Sequence, residues 1–195
     1  MNALARHLRA ASTIGLLRSA VAAAALSALA ACGGGSGNGN GGVPSGEAAG
    51  WVRTWNQVAI DASGRDHAGP REQLGPGRAS RAMAIVHLAI FEAVNGTAGG
   101  YESYAGLQPA SPDASLKAAV AHAAHDTLAA LFPAQREIFA AELAAFLNGI
   151  AEDPAKAAGT EAGRRAAQAI LELRAEDGSD HPEPVFHVDY FPVEE

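Results

Sequence analysis

The sequence has a single cysteine, Cys32, among 195 residues. An intrachain disulfide is therefore impossible, and so is a zinc site built from several cysteines. Basic residues are also few, since 14 Lys and Arg stand against 21 Asp and Glu and the formal net charge is −7. No basic stripe forms after residue 32, so the chain lacks the electrostatic footprint of a nucleic-acid-binding protein. We expect no nucleic-acid partner.

Several catalytic signatures are missing as well. The sequence contains no Gly-x-Ser-x-Gly nucleophile elbow, and its only glycine-rich run fits neither a phosphate-binding loop nor a dinucleotide fingerprint. No segment alternates apolar and polar residues as a half-buried strand does. A chain of this length that is 48% hydrophobic can still form one domain with a modest core. The sequence therefore predicts that helices alone build that core.

The N-terminal residues have the features of an export signal. Three arginines in the first 18 residues precede an alanine-dominated apolar run, 19–31, which is too short to span a bilayer comfortably. Residues 29–32, Leu-Ala-Ala-Cys, resemble the lipobox of bacterial lipoproteins. The resemblance implies lipidation of Cys32 and a membrane anchor in the cell envelope, with the outer membrane favoured because Gly33 follows rather than aspartate. The alternative is an ordinary signal peptide in which Cys32 is incidental.

Composition divides the chain into three parts. We predict a signal peptide over residues 1–31, a flexible Gly/Ser/Asn-rich tether over 32–50 and an all-α domain over 51–195. Apolar residues in the last part recur at spacings of three and four, which predicts about five helices in an irregular bundle. The predicted helices span residues 51–62, 78–95, 112–131, 133–149 and 154–175.

The second predicted helix has the clearest apolar pattern. Its stripe consists of Met83, Val86, Ile90 and Val94, with alanines between them. Because this segment carries few charges, we expect it to be the central helix of the bundle. Asn95 and Gly96 predict its end, because both tolerate a positive φ. Tyr101, Tyr104 and Leu107 are expected to fold back from the next loop onto the core.

Two further helix starts are predicted from capping residues. Ser111 precedes Pro112, and Asp153 precedes Pro154, so each pair offers a capping side chain followed by proline at the first helical position. Gly159 and Gly163 lie one turn apart on the last helix. This spacing permits the backbone of a neighbouring helix to approach closely.

Two groups of histidines are candidates for metal binding. His122 and His125 lie three residues apart on one helix face, but no Glu-x-x-His or His-Glu-x-x-His motif accompanies them. We interpret them as histidines at a helix–helix contact. The second group consists of His181, Glu183, His187 and Asp189. Their types suit a divalent metal, yet the proline-rich segment around them fixes no geometry, so we assign no metal site and keep a metal-binding protein as the third hypothesis.

The central stretch and its flanks resemble a known family. The matching positions are Trp55–Asn56, Ala79–Asn95 (ASRAMAIVHLAIFEAVN), Tyr101, Ser103–Tyr104, Ala121–Ala124, Leu131–Pro133 and Asp177–Asp180. In these positions the chain is similar to the N-terminal helical region of vanadium-dependent haloperoxidases, relatives of the type 2 phosphatidic acid phosphatases. The pattern consists mostly of small and apolar residues at fixed spacing.

The resemblance implies an α-helical fold whose complete form binds vanadate, or phosphate in the phosphatase relatives. In that family a Lys, two Arg and two His line the oxyanion pocket. They come from three motifs, Lys-x6-Arg-Pro, Pro-Ser-Gly-His and Ser-Arg-x5-His-x3-Asp, which belong to the C-terminal half. Cationic groups hold the oxyanion, one His bonds vanadium or attacks phosphorus, and the other acts as acid and base.

The first two motifs have no counterpart in this chain. Its two lysines, Lys117 and Lys156, are not followed by Arg-Pro at the required spacing. The sequence Pro-Ser-Gly occurs at 44–46, but Glu47 stands where the histidine belongs.

The third motif is matched in part. Ser80, Arg81 and His87 fit Ser-Arg-x5-His, but Phe91 replaces the orienting aspartate. The match also falls inside the segment that resembles the N-terminal scaffold. We interpret it as coincidental, and we expect no catalytic, cofactor-binding or metal-binding residue within residues 1–195.

Two functions follow as hypotheses. In the first, the chain is the N-terminal scaffold portion of an exported haloperoxidase-like enzyme, inactive alone, and its partners are the membrane and its own C-terminal half or a partner subunit. The complete enzyme would oxidise halide with peroxide or hydrolyse phosphoesters. In the second, the chain is a non-catalytic helical lipoprotein that binds a partner in the cell envelope.

Overall fold

The computed structural model describes residues 46–179, together with 184, 187–189 and 191. This part of the chain contains five α-helices and no strand, so the predicted all-α fold is confirmed. The helices are Gly46–Ala68 (α1), Pro76–Ala98 (α2), Leu116–Leu131 (α3), Arg136–Leu147 (α4) and Pro154–Leu173 (α5). The predicted signal peptide and Cys32 lie outside the described residues, as do His181 and Glu183.

None of the helices within these described ranges is long and apolar enough to cross a membrane.

Helix α1 is longer than predicted at both ends. It begins at Gly46, inside the segment predicted as tether, and continues to Ala68 through residues predicted as loop. The apolar pattern that we used ends at Ala62 because residues 63–68 contain no large apolar side chain. They remain helical because Asp66 is buried and binds the following loop: its carboxylate accepts hydrogen bonds from the backbone N–H of Glu72 (2.7 Å) and Gln73 (2.8 Å).

Helix α2 also runs past its predicted end. The predicted stop at Asn95 and Gly96 is wrong, because Gly99, with φ of 74°, ends the helix and donates its N–H to the Asn95 carbonyl. The Asn95 side chain instead holds the next loop, exchanging two hydrogen bonds with the backbone of Tyr101 (2.9 and 3.0 Å). The Tyr101 side chain itself is 79% exposed and Tyr104 is also exposed, so the prediction that these rings fold onto the core is wrong. Leu107 does pack against the core, as predicted.

Helix α3, and not α2, is the central helix. Ten of its 16 residues are buried, compared with eight of 23 in α2. Alanine lies on almost every side of α3, so α1, α2, α4 and α5 all pack against it. The prediction favoured α2 because its apolar stripe is regular, whereas a helix that is surrounded by neighbours has no single stripe.

The predicted start of α3 at Ser111–Pro112 is wrong by one turn. Residues 111–114 form a turn, and Ser115 caps the helix by accepting a hydrogen bond from the Ala118 N–H. Ser115 also donates its backbone N–H to the carbonyl of Ala155 at the start of α5 (2.9 Å). This tertiary bond holds Ser115 in an extended conformation, so the helix begins after it.

Helices α3 and α5 run parallel and in close contact. A Cβ atom added at Gly159 would lie 2.2 Å from the Ser115 carbonyl oxygen, and one added at Gly163 would lie 2.4 Å from that of Ala119. The close approach that the two glycines permit is therefore realised. Because both helices point the same way, the chain must return between them, and α4 with its preceding 3₁₀ turn, Pro133–Gln135, makes that return.

The ends of α4 and α5 follow local chemistry. Proline 133 opens a 3₁₀ turn rather than the predicted α-helix, and α4 proper begins at Arg136. The predicted cap of α5 is confirmed, because the Asp153 carboxylate accepts a hydrogen bond from the Lys156 N–H (2.8 Å).

The core lies between the helices and is completed by three large aromatic side chains. Trp55 of α1, Phe132 after α3 and Phe139 of α4 are each buried. Burial of one such side chain stabilises the fold by roughly 1.5–3 kcal/mol. Phe146 of α4 meets Trp55 edge-on, with 5.6 Å between ring centroids, which joins the two outer helices.

Candidate functional site

The partial Ser-Arg-x5-His motif does not form a site. Ser80 donates its hydroxyl to the Gly77 carbonyl on the same helix turn (3.0 Å). Arg81 forms an ion pair with Asp177 (2.8 Å), and His87 donates from Nε2 to the Asn56 side chain (2.9 Å). The three side chains therefore point to three different partners. Arg81 and His87 connect α2 to its neighbours, whereas Ser80 bonds within the helix.

Other polar residues of the resembling segments serve the same purpose. The Glu92 carboxylate, buried on α2, accepts hydrogen bonds from the Ser103 hydroxyl (2.7 Å) and the Ala105 N–H (3.0 Å). The hydrogen bond from Arg81, with a smaller contribution from Ser179, lowers the pKa of Asp177 to about 2. A carboxylate held in its charged form by such bonds supports structure rather than proton transfer near neutral pH.

The prediction overlooked two buried carboxylates, although the sequence contains a signal for them. Asp66 continues the helical spacing of Trp55, Ala59 and Ala62, and Glu92 lies three residues after the buried Ala89. A charged residue at a position on an apolar stripe is buried with its helix face, so it needs internal partners. In both cases those partners belong to the following loop: two backbone N–H groups for Asp66, and the Ser103 hydroxyl with the Ala105 N–H for Glu92.

His122 lies at the contact between α3 and α5. Its side chain is 8% exposed, and its Nδ1 has no hydrogen-bond partner among the residues described. Burial lowers its pKa below 6.5, although the nearby Asp126 carboxylate opposes the shift. The Cβ atom that Gly163 lacks would lie 2.9 Å from the Cβ atom of His122, so the glycine makes room for the histidine.

His125, one turn after His122, faces a cleft instead. Its Nδ1 donates to the Asp126 carboxylate (2.6 Å), and the two imidazole centroids are 6.4 Å apart. The His125 cleft, as we name it, has a volume of about 630 Å³ and lies between α3, α4 and the start of α5. Its apolar wall consists of Leu143, Ala144, Leu147 and Ile150. We predicted that both histidines lie at a helix–helix contact. His122 lies between α3 and α5, and His125 lines the cleft between α3, α4 and the start of α5.

The polar end of the His125 cleft contains an ion pair. Lys156 of α5 and Glu152, one turn before it, both line the cleft, and the Lys156 ammonium contacts the Glu152 carboxylate. A second cleft, of about 450 Å³, lies beside the loop after α2, but its polar groups Glu92, Asn95 and Ser103 are occupied by hydrogen bonds within the protein. The polar groups of the His125 cleft are paired as well, but its ion pair has one exposed member and lies at the edge of an apolar cavity, which is typical of small-molecule sites.

The residue set that would hold vanadate is not assembled in the described part of the chain. The His125 cleft brings together one lysine and one histidine, and no arginine lines it. Within the same residues, no group of three or more His, Cys, Asp or Glu side chains is arranged to bind a metal ion. The described residues therefore do not fit the oxyanion pocket that the resemblance implies for the complete protein.

Comparisons with protein-family models, with curated proteins and with solved structures give no match for this chain.

Proposed function

We propose that the helical domain is the scaffold portion of an exported, lipid-anchored enzyme similar to vanadium-dependent haloperoxidases. In the complete protein the reaction would be peroxide-driven halide oxidation or phosphoester hydrolysis at a pocket that binds vanadate or phosphate. The scaffold would provide helices that support this pocket.

One observation supports this proposal more strongly than the other observations do. Polar residues that carry the resemblance, although distant in sequence, are hydrogen-bond partners of one another or of the intervening loop. Asn56 pairs with His87, Arg81 with Asp177, and Glu92 with Ser103. A pattern matched by coincidence gives no reason for its polar members to meet, whereas a shared scaffold does.

The same bonds imply that the chain is inactive by itself. A side chain that joins two helices through an internal hydrogen bond is not available to bind an oxyanion or to move a proton. We therefore expect no bromide oxidation by the full chain supplied with vanadate, bromide and hydrogen peroxide, and no hydrolysis of p-nitrophenyl phosphate. An active haloperoxidase assayed in parallel is the control. Turnover that depends on vanadate would contradict the proposal.

Sequencing the coding DNA beyond the codon for Glu195 tests the proposal directly. A reading frame that continues into Lys-x6-Arg-Pro, Pro-Ser-Gly-His and Ser-Arg-x5-His-x3-Asp would support the scaffold function. A stop codon at that point would overturn it and leave the non-catalytic helical lipoprotein as the better hypothesis.

A further inference from the structure

We propose that the His125 cleft binds a small apolar monocarboxylate, with the carboxylate on Lys156 and the hydrocarbon against α4. This inference does not depend on the function proposed above. It rests on the shape of the cleft, on the asymmetry of the ion pair at its end and on the character of its wall.

The cleft has the dimensions and composition of a small-molecule site. Its volume of about 630 Å³ falls within the range of about 300–1,000 Å³ that such sites have. It exists because α4 packs on α3 and leaves a gap towards the start of α5. Leu143 and Leu147 lie one turn apart along this gap, so the apolar wall is about 6 Å long.

The two members of the ion pair are held very differently. The Lys156 side chain is 16% exposed and lines the cleft. The Glu152 side chain is 84% exposed, and among the described residues its carboxylate contacts the Lys156 ammonium. An exposed carboxylate held by one contact is easily displaced. Glu152 therefore occupies the position that a ligand carboxylate would take against the Lys156 ammonium. A ligand carboxylate can replace it there.

Once a ligand displaces Glu152, whose carboxylate otherwise neutralises Lys156, the cleft offers one positive charge and favours a ligand with a single negative group. Lys156 is its one ammonium, and no arginine lines it that could form the bidentate pair that phosphate favours. His125, which is hydrogen-bonded to Asp126, also lines the cleft. One ammonium at the end of a short apolar wall is complementary to a monocarboxylate with a short hydrocarbon chain.

The test is a titration of the full chain with hexanoate, followed by chemical-shift changes of the leucine and isoleucine methyl groups. We expect saturable shifts at Leu143, Leu147 and Ile150 with hexanoate. Hexanol has the same hydrocarbon without the charge and hexylammonium reverses it, so both are expected to bind more weakly. Equal binding of hexanol, or shifts located elsewhere, would overturn the proposal.

Three substitutions distinguish ligand recognition by the ion pair from a purely structural role. Glu152→Gln removes the competing carboxylate from an exposed position, and we expect it to tighten hexanoate binding by about two- to fivefold. Lys156→Met retains most of the side-chain volume and is expected to weaken binding by at least about tenfold. Lys156→Arg keeps the charge and should retain most of the affinity. Weaker or unchanged binding by the Glu152→Gln variant contradicts the assignment, because an ion pair with only a structural role gives no reason for tighter binding.

Discussion

Asp66 and Glu92 each occupy a position on an apolar helix stripe, and each binds the loop that follows its helix. The two carboxylates satisfy backbone N–H groups that would otherwise lie in loops without a partner. Removal of such a carboxylate leaves those donors unpaired, which costs about 1–3 kcal/mol for a buried group. At the residue scale, the polar groups inside this protein determine where its loops lie.

Acidification is expected to destabilise the fold through His122. Burial lowers its pKa in the folded chain below 6.5, so the unfolded chain binds a proton more readily. The resulting loss of folding stability is absent well above pH 6.5. It grows as the pH falls through 6.5 towards the lower pKa of His122 in the folded chain. Between about pH 7.5 and about pH 5.5 the Tm of the wild type should therefore decrease more than that of His122→Gln. The exposed His67 provides the control, because His67→Gln should keep the full decrease. Equal decreases in all three proteins would show that His122 does not carry the effect.

The sequence predicts that His122 and His125 share a helix face, but not that their surroundings differ. Their spacing of three residues is local information, and the structure places both on α3 as expected. Whether each ring is buried depends on α5, whose glycine at 163 comes close to His122, and on α4, which leaves the cleft beside His125. Neither arrangement is encoded within one turn of the histidines.

Helix ends show the same division between local and distant information. The Asp153 cap was predictable, because the capping residue and the proline after it lie together in the sequence. For α3 the sequence offers two serines, Ser111 and Ser115, and local rules favour the one that precedes proline. The hydrogen bond between the Ser115 N–H and the Ala155 carbonyl instead makes Ser115 the capping residue. Such a bond becomes apparent only when α5 is placed.

At the scale of elements, the contact between α3 and α5 should tolerate no added methyl group. We expect Gly163→Ala to lower the free energy of unfolding by at least about 1–3 kcal/mol, because its Cβ would lie 2.4 Å from a backbone oxygen of α3. Gly64→Ala is the matched control: Gly64 lies within α1, with no atom within 4 Å of the added Cβ. That substitution should stabilise the protein by about 0.5–1 kcal/mol. Chemical denaturation of both variants measures the difference, and a neutral Gly163→Ala would contradict the close contact.

In the described part of the molecule, helix α4 is the least integrated helix. Of its 12 residues only Phe139 and Leu147 are buried, and it packs mainly against α3. The number of helices and the all-α class followed from apolar spacing. The central position of α3 did not, because it arises from four neighbouring helices whose contacts are far apart in sequence.

For the whole molecule we expect unequal resistance to local unfolding. Backbone amides of α4 should exchange with deuterium earlier than those of α3, because opening α4 exposes little apolar surface. Hydrogen exchange of the full chain, followed by mass spectrometry of peptides from both helices, measures the order. Exchange of α3 and α4 at one common rate would mean that the two helices open only together.

The parallel arrangement of α3 and α5 affects the time at which the core can close during synthesis. Forty residues separate Ser115 from Ala155, its backbone partner at the start of α5. At about 5–20 residues per second, a ribosome needs roughly 2–8 s to make that interval. During those seconds the most buried helix of the protein has no α5 to cover it. The nascent chain therefore exposes the alanine-rich surface of α3 to chaperones and translocation factors.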